Sequence, residues 1–387
     1  MVTNKEQNKL NVPHLRFPEF HGEWEKHGLS EYLDFKNGLN PDSKRFGKGI
    51  KFISVMDILN NPVITYDCIR ASVQATDAEI SSFSVENGDI LFQRSSETLE
   101  DVGRANVYID DKVAVFGGFV IRGKKKANYN PLFFRYLLSS PYARKRIIPM
   151  GAGAQHFNIG QEGLSKVLLN FPSIEEQTKI ASLLHLLDER IATQSKLIEK
   201  LESLIKGISS RIFASIQGFE YRMGDIVTIT NGNSNVQDAV TQSKDGLYPF
   251  FDRSEDIKYL PTFLFDKEAI IYPGEGTEFM PRYFKGKFAL HQRCYAIFDF
   301  NEIINARFLY FYLKTRNSYF VQNAVGSTVP SLRLDTFQKL KVIIPPKKIQ
   351  HSVSLCLSSM EQKCNVEKKI LHKLLKQKQY LLRQMFI

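Results

Sequence analysis

The sequence predicts a mixed α/β protein in which two tandem α/β domains alternate with two long helices. The first observation is an apolar repeat of about 3.5 residues through residues 173–213, which is typical of a coiled coil. The second is a matching stretch, residues 345–386, in which Pro345 stands where the first stretch has Pro172. The third is that the matches continue, in the same order, through the segment before each helix. Together these observations indicate a tandem duplication.

The first long helix is predicted to begin after Pro172, because Ser173 and Glu176 form a capping box. About forty helical residues span roughly 60 Å, more than a compact domain needs, so a second long helix is expected to lie along the first. The seam of the first helix follows steps of four and three residues: Ile180, Leu184, Leu187, Ile191, Gln194, Ile198, Leu201, Ile205, Ile208 and Ile212. The matching positions of the second are Val353, Leu357, Met360, Cys364, Glu367, Leu371, Leu374, Lys378, Leu381 and Met385.

The two helices are expected to pack as an antiparallel pair about a pseudo-two-fold axis, because each follows an equivalent domain. The central helix–helix interface is predicted to comprise Leu184, Leu187, Ile191, Gln194, Ile198, Leu357, Met360, Cys364, Glu367 and Leu371. Gln194 and its repeat partner Glu367 are predicted to face each other and to form a polar layer that fixes the register.

The composition is that of a globular protein with two or more domains: 387 residues, 43% hydrophobic and 12% aromatic. There is no apolar core of a signal peptide and no run of membrane-spanning length, so we expect a cytoplasmic protein without a membrane partner. Four cysteines without zinc-site spacing predict no metal site. The net charge of +11 is compatible with a nucleic-acid partner.

The predicted boundaries follow from these patterns. They are an N-terminal arm (1–20) and first domain within residues 1–172, a first spacer helix over 173–215, a second domain over 216–346 and a second spacer helix over 347–387.

The first domain is predicted to consist of short strands and one helix. The strand candidates are Leu29–Phe35, Ile50–Val55, Ile90–Phe92, Val107–Ile109 and Val113–Ile121. Asn37-Gly38 predicts a hairpin turn, and Pro131–Ile147 predicts a single helix. The second domain repeats this order, with Asn231-Gly232 matching Asn37-Gly38 and His291–Arg293 replacing Phe116–Gly118.

Catalytic signatures are missing from the sequence. The [Asn/Asp]-Pro-Pro-[Tyr/Phe] motif of adenine methyltransferases is absent, since Asn40-Pro41, Asn61-Pro62 and Asn130-Pro131 each lack the second proline. The stretch Gly118–Lys125 departs from a P-loop at Lys125, where a Ser or Thr would hold magnesium. We therefore predict no catalytic residue and no cofactor in this chain, which would position a substrate without transforming it.

Residues that could contact DNA lie on loops between the strands. Gln93 and Arg94 could form bidentate hydrogen bonds with adenine and guanine edges, whereas Lys44, Arg45 and Lys51 are expected to contact phosphates. The first-domain candidates are Lys36, Asn37, Lys44, Arg45, Lys51, Gln93, Arg94, Ser95 and Ser96. The second-domain candidates are Asn231, Asn233, Arg253, Thr277, Arg282, His291, Gln292 and Arg293. Similar scaffolds with different loop residues are what two readers of different half-sites require.

The chain resembles the DNA-specificity subunit of type I restriction-modification enzymes. The resemblance is carried by Pro13–Trp24 (PHLRFPEFHGEW), Gly88–Ser95 (GDILFQRS) and Glu175–Ala181 (EEQTKIA), followed by Leu187-Asp188. In the second copy Lys348-Ile349-Gln350 stands where the family usually has Glu-Glu-Gln, so the match there rests on position.

The resemblance implies that each α/β domain is a target-recognition domain for one half of a bipartite, asymmetric site in double-stranded DNA, and that the helices set the spacer. It also implies two methyltransferase subunits, which carry S-adenosylmethionine, dock on the helices and methylate adenine. Two restriction subunits that translocate DNA with ATP and Mg would complete the nuclease.

Two other functions stay open at this point. A self-sufficient DNA methyltransferase or nuclease would act on DNA as an isolated chain. A coiled-coil scaffold that binds only protein would show no salt-sensitive retention of DNA.

Overall fold

The computed structural model describes residues 11–387, which form two compact units. The first unit comprises the chain up to Ser195 together with Ile370–Ile387, and the second comprises Lys196–Lys369. Of the arm predicted over residues 1–20, residues 1–10 lie outside the described residues.

The first half of the chain contains short strands and helices followed by one long helix. Its strands are β1 (Glu25–Gly28), β2 (Leu33–Asn37), β3 (Phe46–Ile53), β4 (Ser72–Val73), β5 (Ser84–Val85), β6 (Ile90–Gln93), β7 (Ser95–Ser96), β8 (Ala105–Val107), β9 (Ala114–Phe116), β10 (Val120–Lys125), β11 (Phe157–Asn158) and β12 (Leu168–Phe171). Its helices are α1 (Leu29–Tyr32), α2 (Val55–Asn60), α3 (Asp77–Phe83), α4 (Pro131–Ser139), α5 (Pro141–Ile147), α6 (Gln161–Ser165) and α7 (Ile174–Ser215).

The second half follows the same plan. Its strands are β13 (Phe219–Arg222), β14 (Thr228–Asn231), β15 (Tyr248–Phe251), β16 (Lys258–Leu260), β17 (Phe265–Pro273), β18 (Arg282–Leu290), β19 (Cys294–Phe298) and β20 (Lys341–Ile344). Its helices are α8 (Ala306–Lys314), α9 (Asn317–Asn323), α10 (Leu334–Gln338) and α11 (Lys347–Gln384).

The strand pairing repeats from one unit to the other. In the first unit β2, β10 and β6 are adjacent and antiparallel, β3 pairs in parallel with β9, and β1 pairs with β12. In the second unit β14, β19 and β17 take the same order, β15 pairs in parallel with β18, and β13 pairs with β20. The duplicated α/β fold that the sequence predicts is therefore confirmed.

The two long helices run in opposite directions. The N-terminal part of helix α7, up to Ser195, belongs to the first unit, and the rest of the helix belongs to the second. Helix α11 does the reverse, because its residues up to Lys369 belong to the second unit and the remainder to the first. The predicted antiparallel arrangement is therefore confirmed.

The seam residues of both helices are all buried or half-buried. Within the first unit Asp188 Oδ1 lies 2.5 Å from Lys378 Nζ, so a charged pair joins α7 to the end of α11. Glu367 is buried, and its carboxylate lies 2.5 Å from Lys363 Nζ on the same helix. The interface assignment, the pairing of Gln194 with Glu367 and the pseudo-two-fold axis stay predictions.

The described part of the N-terminal arm is anchored to the start of α7. Arg16 Nη2 lies 2.7 Å from Glu176 Oε2, and Trp24 Nε1 donates to Glu176 Oε1 at 3.3 Å. Glu176 N–H donates to Ser173 Oγ at 3.4 Å, which is one half of the predicted capping box. The carboxylate of Glu176 thus binds both Arg16 and Trp24 and connects the arm to the start of α7.

The hairpin predicted at Asn37-Gly38 is wrong. Strand β2 pairs with β10 and not with β3, the strand that follows it. Gly38 is needed for close packing and not for a turn, because a Cβ there would lie 2.1 Å from Gly117 O. Gly232 repeats this, with a Cβ 2.0 Å from Leu290 O.

Other predicted elements begin or end differently. The strand expected from Leu29 opens with the helical turn α1, because Glu31 Oε1 accepts a hydrogen bond from Gly28 N–H at 2.6 Å. The single helix expected over Pro131–Ile147 is two helices, because Pro141 cannot continue α4 and the buried Ser140 caps α5 instead. The strand expected over Val113–Ile121 is divided by a turn into β9 and β10.

Candidate nucleic-acid interface

Several of the polar residues predicted to contact DNA lie at one edge of the central sheet in each unit, where neighbouring strands end. In the first unit Asn37 pairs with Ile121 and Gln93 pairs with Val120, so that β2 and β6 end where β10 begins. The second unit repeats this edge with β14, β17 and β19. Three strand ends therefore support each candidate surface.

A tight turn before β10 forms the tip of this edge in the first unit. Val120 N–H donates to Gly117 O at 2.8 Å, and Gly117 N–H donates to Ile53 O at 3.0 Å. Arg94 N–H donates to Phe119 O at 2.9 Å, which ties the turn to the end of β6. The side chain at the tip, Phe119, is 69% exposed.

The second unit builds the same turn before β19. Cys294 N–H donates to His291 O at 2.9 Å, and His291 N–H donates to Phe251 O at 2.9 Å. His291–Arg293 therefore matches Gly117–Phe119, one residue later than the sequence predicted. The second unit has one more residue than the first between this turn and the next helix. The spacing of 175 residues that matches the helices of the two units therefore does not match the turns, which are 174 residues apart.

Arg293 thus occupies the place of Phe119. Arg293 Nη1 lies 2.5 Å from Glu275 Oε1, and the side chain is 62% exposed. One tip presents an aromatic ring and the other a guanidinium group paired with a carboxylate. The two units therefore share a scaffold while their tips differ in chemistry.

Gln93 and Arg94 lie behind the tip of the first unit. Gln93 is 6% exposed; its Nε2 donates to Ser95 O at 2.9 Å, and among the described residues its Oε1 accepts no hydrogen bond. Arg94 is half-buried, and its Nη1 donates to Gly118 O at 3.3 Å. Arg94 is thus held at the edge with part of its guanidinium accessible.

Ser95 and Ser96 form β7, which pairs with β11 in the loop that follows α5. Ser95 Oγ donates to Asn158 Oδ1, and Ser96 Oγ accepts a hydrogen bond from Thr98 N–H at 3.2 Å. This pairing brings the exposed residues 152–156 beside the candidate edge.

The basic residues of the first unit are partly occupied by contacts within the protein. Lys36 Nζ donates to Ser82 O at 2.9 Å, and Lys51 Nζ donates to Ile69 O at 2.6 Å. Lys44 is exposed. Of these three, Lys44 has the ammonium group that is most accessible to a phosphate.

Arg45 binds a carboxylate of its own chain. Its guanidinium forms a two-point ion pair with Glu79, and Nε donates to Gln74 O at 2.8 Å. The hydrogen bond to Glu79 raises the pKa of Arg45, and the same bond lowers the pKa of Glu79 to about 2. A phosphate would have to compete with Glu79 for this cation.

A cleft of about 550 Å³ in the second unit brings four of the predicted residues together. Its polar lining includes Asp252, Ser254, Lys258 and Glu275 besides the predicted Arg253, His291, Gln292 and Arg293. Asp252 is buried, and its Oδ2 lies 2.6 Å from Lys258 Nζ. Burial alone would raise the pKa of Asp252, but hydrogen bonds from Lys258 and Ser254 outweigh it and lower the pKa.

Two side chains at the base of the cleft are held in their uncharged forms. Burial lowers the pKa of His291, so its imidazole is neutral near pH 7. Burial also raises the pKa of the Cys294 thiol to about 11. Nδ1 of His291 accepts a hydrogen bond from Arg293 N–H at 3.3 Å, so the neutral ring offers its Nε2–H donor to a base edge.

The predicted residues of the second unit outside the lining of this cleft are Asn231, Asn233, Thr277 and Arg282. Arg282 is half-buried, and its Nη2 donates to Ser254 O. Asn231, Asn233, Thr277 and Gln292 are exposed, and Asn231 Nδ2 donates to Gln292 O at 3.3 Å.

Within residues 11–387, no group of three or more His, Cys, Asp or Glu side chains has an arrangement that could hold a metal ion. Nor does any helix in this part of the chain have the length and hydrophobicity that crossing a membrane requires.

Comparison with known proteins identifies the family. A family model described as "Type I restriction modification DNA specificity domain" matches residues 21–203 and 218–376, which together are most of the chain. The chain belongs to the type I restriction-modification DNA specificity family. Each matched segment contains one α/β domain and a part of the long helix that follows it.

Individual members of the specificity family are similar in sequence or in fold. The EcoDI specificity subunit of Escherichia coli is 30% identical over 123 residues, 32% of this chain and 26% of that protein, so the match spans about a quarter of the relative. A type I S subunit from M. genitalium is 18% identical and superposes with a TM-score of 0.68 over 97% of this chain and 99% of its own. A chain from a type I R-M complex is 13% identical, with a TM-score of 0.55 over 93% of this chain and 96% of its own. These structural similarities concern the fold.

Sequence reasoning missed two parts of the edge in this specificity-family chain. The first part is the loop 152–156. It follows Gly151, which has a counterpart in Gly326 of the second half, and this match is the signal that the loop recurs. The second unit has the equivalent loop before Ser331, which pairs with Glu275. Phe119 was missed because a hydrophobic residue next to two glycines gives no sign of exposure.

Proposed function

We propose that this chain is the sequence-recognition subunit of a type I restriction-modification complex, and that each α/β unit recognises one half of a bipartite, asymmetric DNA site. The observation that supports this most directly is the pair of turn tips. The same backbone turn carries Phe119 in one unit and Arg293 beside neutral His291 in the other. Equal scaffolds with unequal tips suit two half-sites of different sequence.

In this proposal α7 and α11 act as a rigid spacer, and their seam residues keep it rigid. Two methyltransferase subunits dock on the helices and supply S-adenosylmethionine, and the adenine chemistry takes place on those subunits. Restriction subunits with ATP and Mg join the same assembly. The chain itself is non-catalytic.

The test is to map methylated adenines in the DNA of cells that express the chain with its cognate methyltransferase subunit. The expected result is one bipartite motif with a fixed spacer, absent from cells that express the methyltransferase alone. Exchange of residues 28–171 for the corresponding domain of another family member should change one half-site only. Methylation that does not depend on the chain, or methylation or cleavage by the isolated chain, would contradict the proposal.

Salt dependence separates this function from that of a protein-only scaffold. The logarithm of the association constant between the complex and its site should fall linearly with the logarithm of the salt concentration. The reason is that Lys and Arg side chains displace counterions from the phosphates. A scaffold that binds only protein would retain no DNA at any salt concentration.

A further inference from the structure

We propose that Phe119 is a wedge that inserts between neighbouring base pairs in the half-site recognised by the first unit. This inference rests on the proposed function. Phe119 is 69% exposed, at the tip of the turn between β9 and β10. An aromatic ring exposed to solvent does not contribute the stabilisation that a buried ring gives, and its apolar surface is available to a ligand.

The backbone of the turn holds Phe119 in a fixed place. Val120 N–H donates to Gly117 O, and Phe119 O accepts a hydrogen bond from Arg94 N–H at 2.9 Å. Arg94 Nη1 also donates to Gly118 O at 3.3 Å. A wedge must be rigid to unstack bases, because a mobile side chain would lose entropy on insertion.

Close packing behind the turn leaves no room for a side chain at the two residues before Phe119. A Cβ on Gly117 would lie 2.6 Å from the ring of Phe52, and a Cβ on Gly118 would lie 1.8 Å from Asn40 Oδ1. The backbone of the turn can pack this closely against the domain only because both of these residues are glycines. Phe119 is the first residue of the turn with a side chain, and that side chain points away from the core.

Strand β3, which packs behind the turn, carries aromatic and basic side chains of the kind that bind DNA. Phe46 is 43% exposed, and its ring packs edge-on against Phe52 at 5.1 Å, which places a second aromatic ring behind the same turn. Lys44 and Lys48 flank Phe46 in the chain and are exposed. Aromatic and aliphatic wedges flanked by cations are how proteins kink DNA, since the cations hold the phosphates while the ring replaces the lost stacking.

The second unit provides an internal comparison. Arg293 occupies the same position of the same turn and is paired with Glu275. A guanidinium group suits hydrogen bonds to a base edge in the groove and is not a hydrophobic wedge. Unstacking is therefore expected in one half-site and not in the other.

The experiment uses the full complex and a duplex carrying the mapped site, with 2-aminopurine replacing one adenine at a time. The methylated adenines and the bases next to them are excepted, because a methyltransferase flips its target base out of the stack. Binding should raise the emission at one step of the half-site recognised by the first unit and at no step of the other half-site. Phe119→Ala should abolish this rise and weaken binding roughly 5- to 150-fold, the range found for loss of one base–aromatic stack. Phe119→Trp should keep both the rise and the affinity.

Two controls separate a wedge from other effects. Phe119→Ala should leave the salt slope of binding unchanged, because no phosphate contact is lost. Phe219→Ala removes a ring that is 78% exposed in the second unit and should change neither signal nor affinity.

The outcomes are distinct. Unchanged binding by Phe119→Ala, or weaker binding without any rise in 2-aminopurine emission in the wild type, would overturn the wedge and leave the proposed function intact. Failure of the wild-type complex to bind any mapped duplex would overturn both.

Discussion

Gln177 accepts a hydrogen bond from the backbone N–H of Asn130 at 3.1 Å and donates its own Nε2 to Pro172 O at 3.0 Å. In the second unit Gln350 makes the same two bonds, to Asn305 N–H at 2.7 Å and to Pro345 O at 2.8 Å. One buried glutamine thus fixes the start of each long helix against the helix cap of its own α/β domain. Of the Glu-Glu-Gln pattern of the first copy, the second copy has only Gln350, the residue that forms this joint.

Replacement of Gln177 by alanine should destabilise the first unit by about 1–3 kcal/mol, because buried backbone groups lose their partners. Trp24 is the only tryptophan and is buried in the first unit, so its fluorescence during urea unfolding reports on that unit. Gln379→Ala, at an exposed position of the part of α11 that belongs to the first unit, is the matched control. A shift no larger than that of the control would contradict this role.

The ion pair between Arg45 and Glu79 should make stability depend on pH in the acid range. The pKa of Glu79 falls from 4.5 in the unfolded chain to about 2 in the folded protein, so its contribution is complete above pH 4.5 and is lost as the pH falls towards 2. Glu79→Gln should therefore lower the thermal midpoint at neutral pH, and the difference from wild type should vanish near pH 2. High salt should also reduce the difference, because both groups are near the surface. A difference that is the same at neutral and acid pH would exclude the ion pair as its cause.

Glu275 should restrain DNA binding by the second unit, because its carboxylate occupies the exposed guanidinium of Arg293. In the assembled complex Glu275→Gln is expected to raise DNA affinity several-fold and to steepen the salt slope by up to about one, as one more cation becomes free to displace a counterion. Filter binding at several salt concentrations measures both quantities. In a chain that already carries Arg293→Ala, Glu275→Gln should not raise DNA affinity. A rise in that double variant, compared with Arg293→Ala alone, would show that Glu275 does not act through Arg293.

The duplication could be predicted from sequence because it rests on long patterns. The seam recurs over the full length of two helices, and a single match such as Gln177 with Gln350 is reinforced by many others. Short-range signals were weaker. Asn37-Gly38 resembles a hairpin turn, but Gly38 is required because a neighbouring backbone approaches too closely for a side chain. Close approach and turn formation both select glycine, and only the strand pairing separates them.

The candidate edge was predicted in outline and not in detail. Arg94 and His291 do lie at strand ends, as loops between strands suggest, but Arg45 and Lys36 are engaged by Glu79 and Ser82. Such contacts join residues that are far apart in sequence, so composition and spacing cannot reveal them. The sequence match between the two turns is wrong by one residue, because the two units differ in length just after the turn. The hydrogen bonds of the turns show that Arg293 is the residue that matches Phe119.

The spacer role of the helices leads to a prediction about length. A heptad inserted at matching points of α7, within 184–201, and of α11 preserves the seam and adds about 10 Å to each helix. At about 3.4 Å per base pair, the mapped site should keep both half-site sequences while its spacer grows by up to about three base pairs. Mapping of methylated adenines in cells that carry the extended chain measures this directly. An insertion of the same length in the exposed loop 241–246, which lies outside both helices, should leave the spacer unchanged. If the extended helices left the spacer unaltered while methylation continued, something other than their length would have to set the distance between the half-sites.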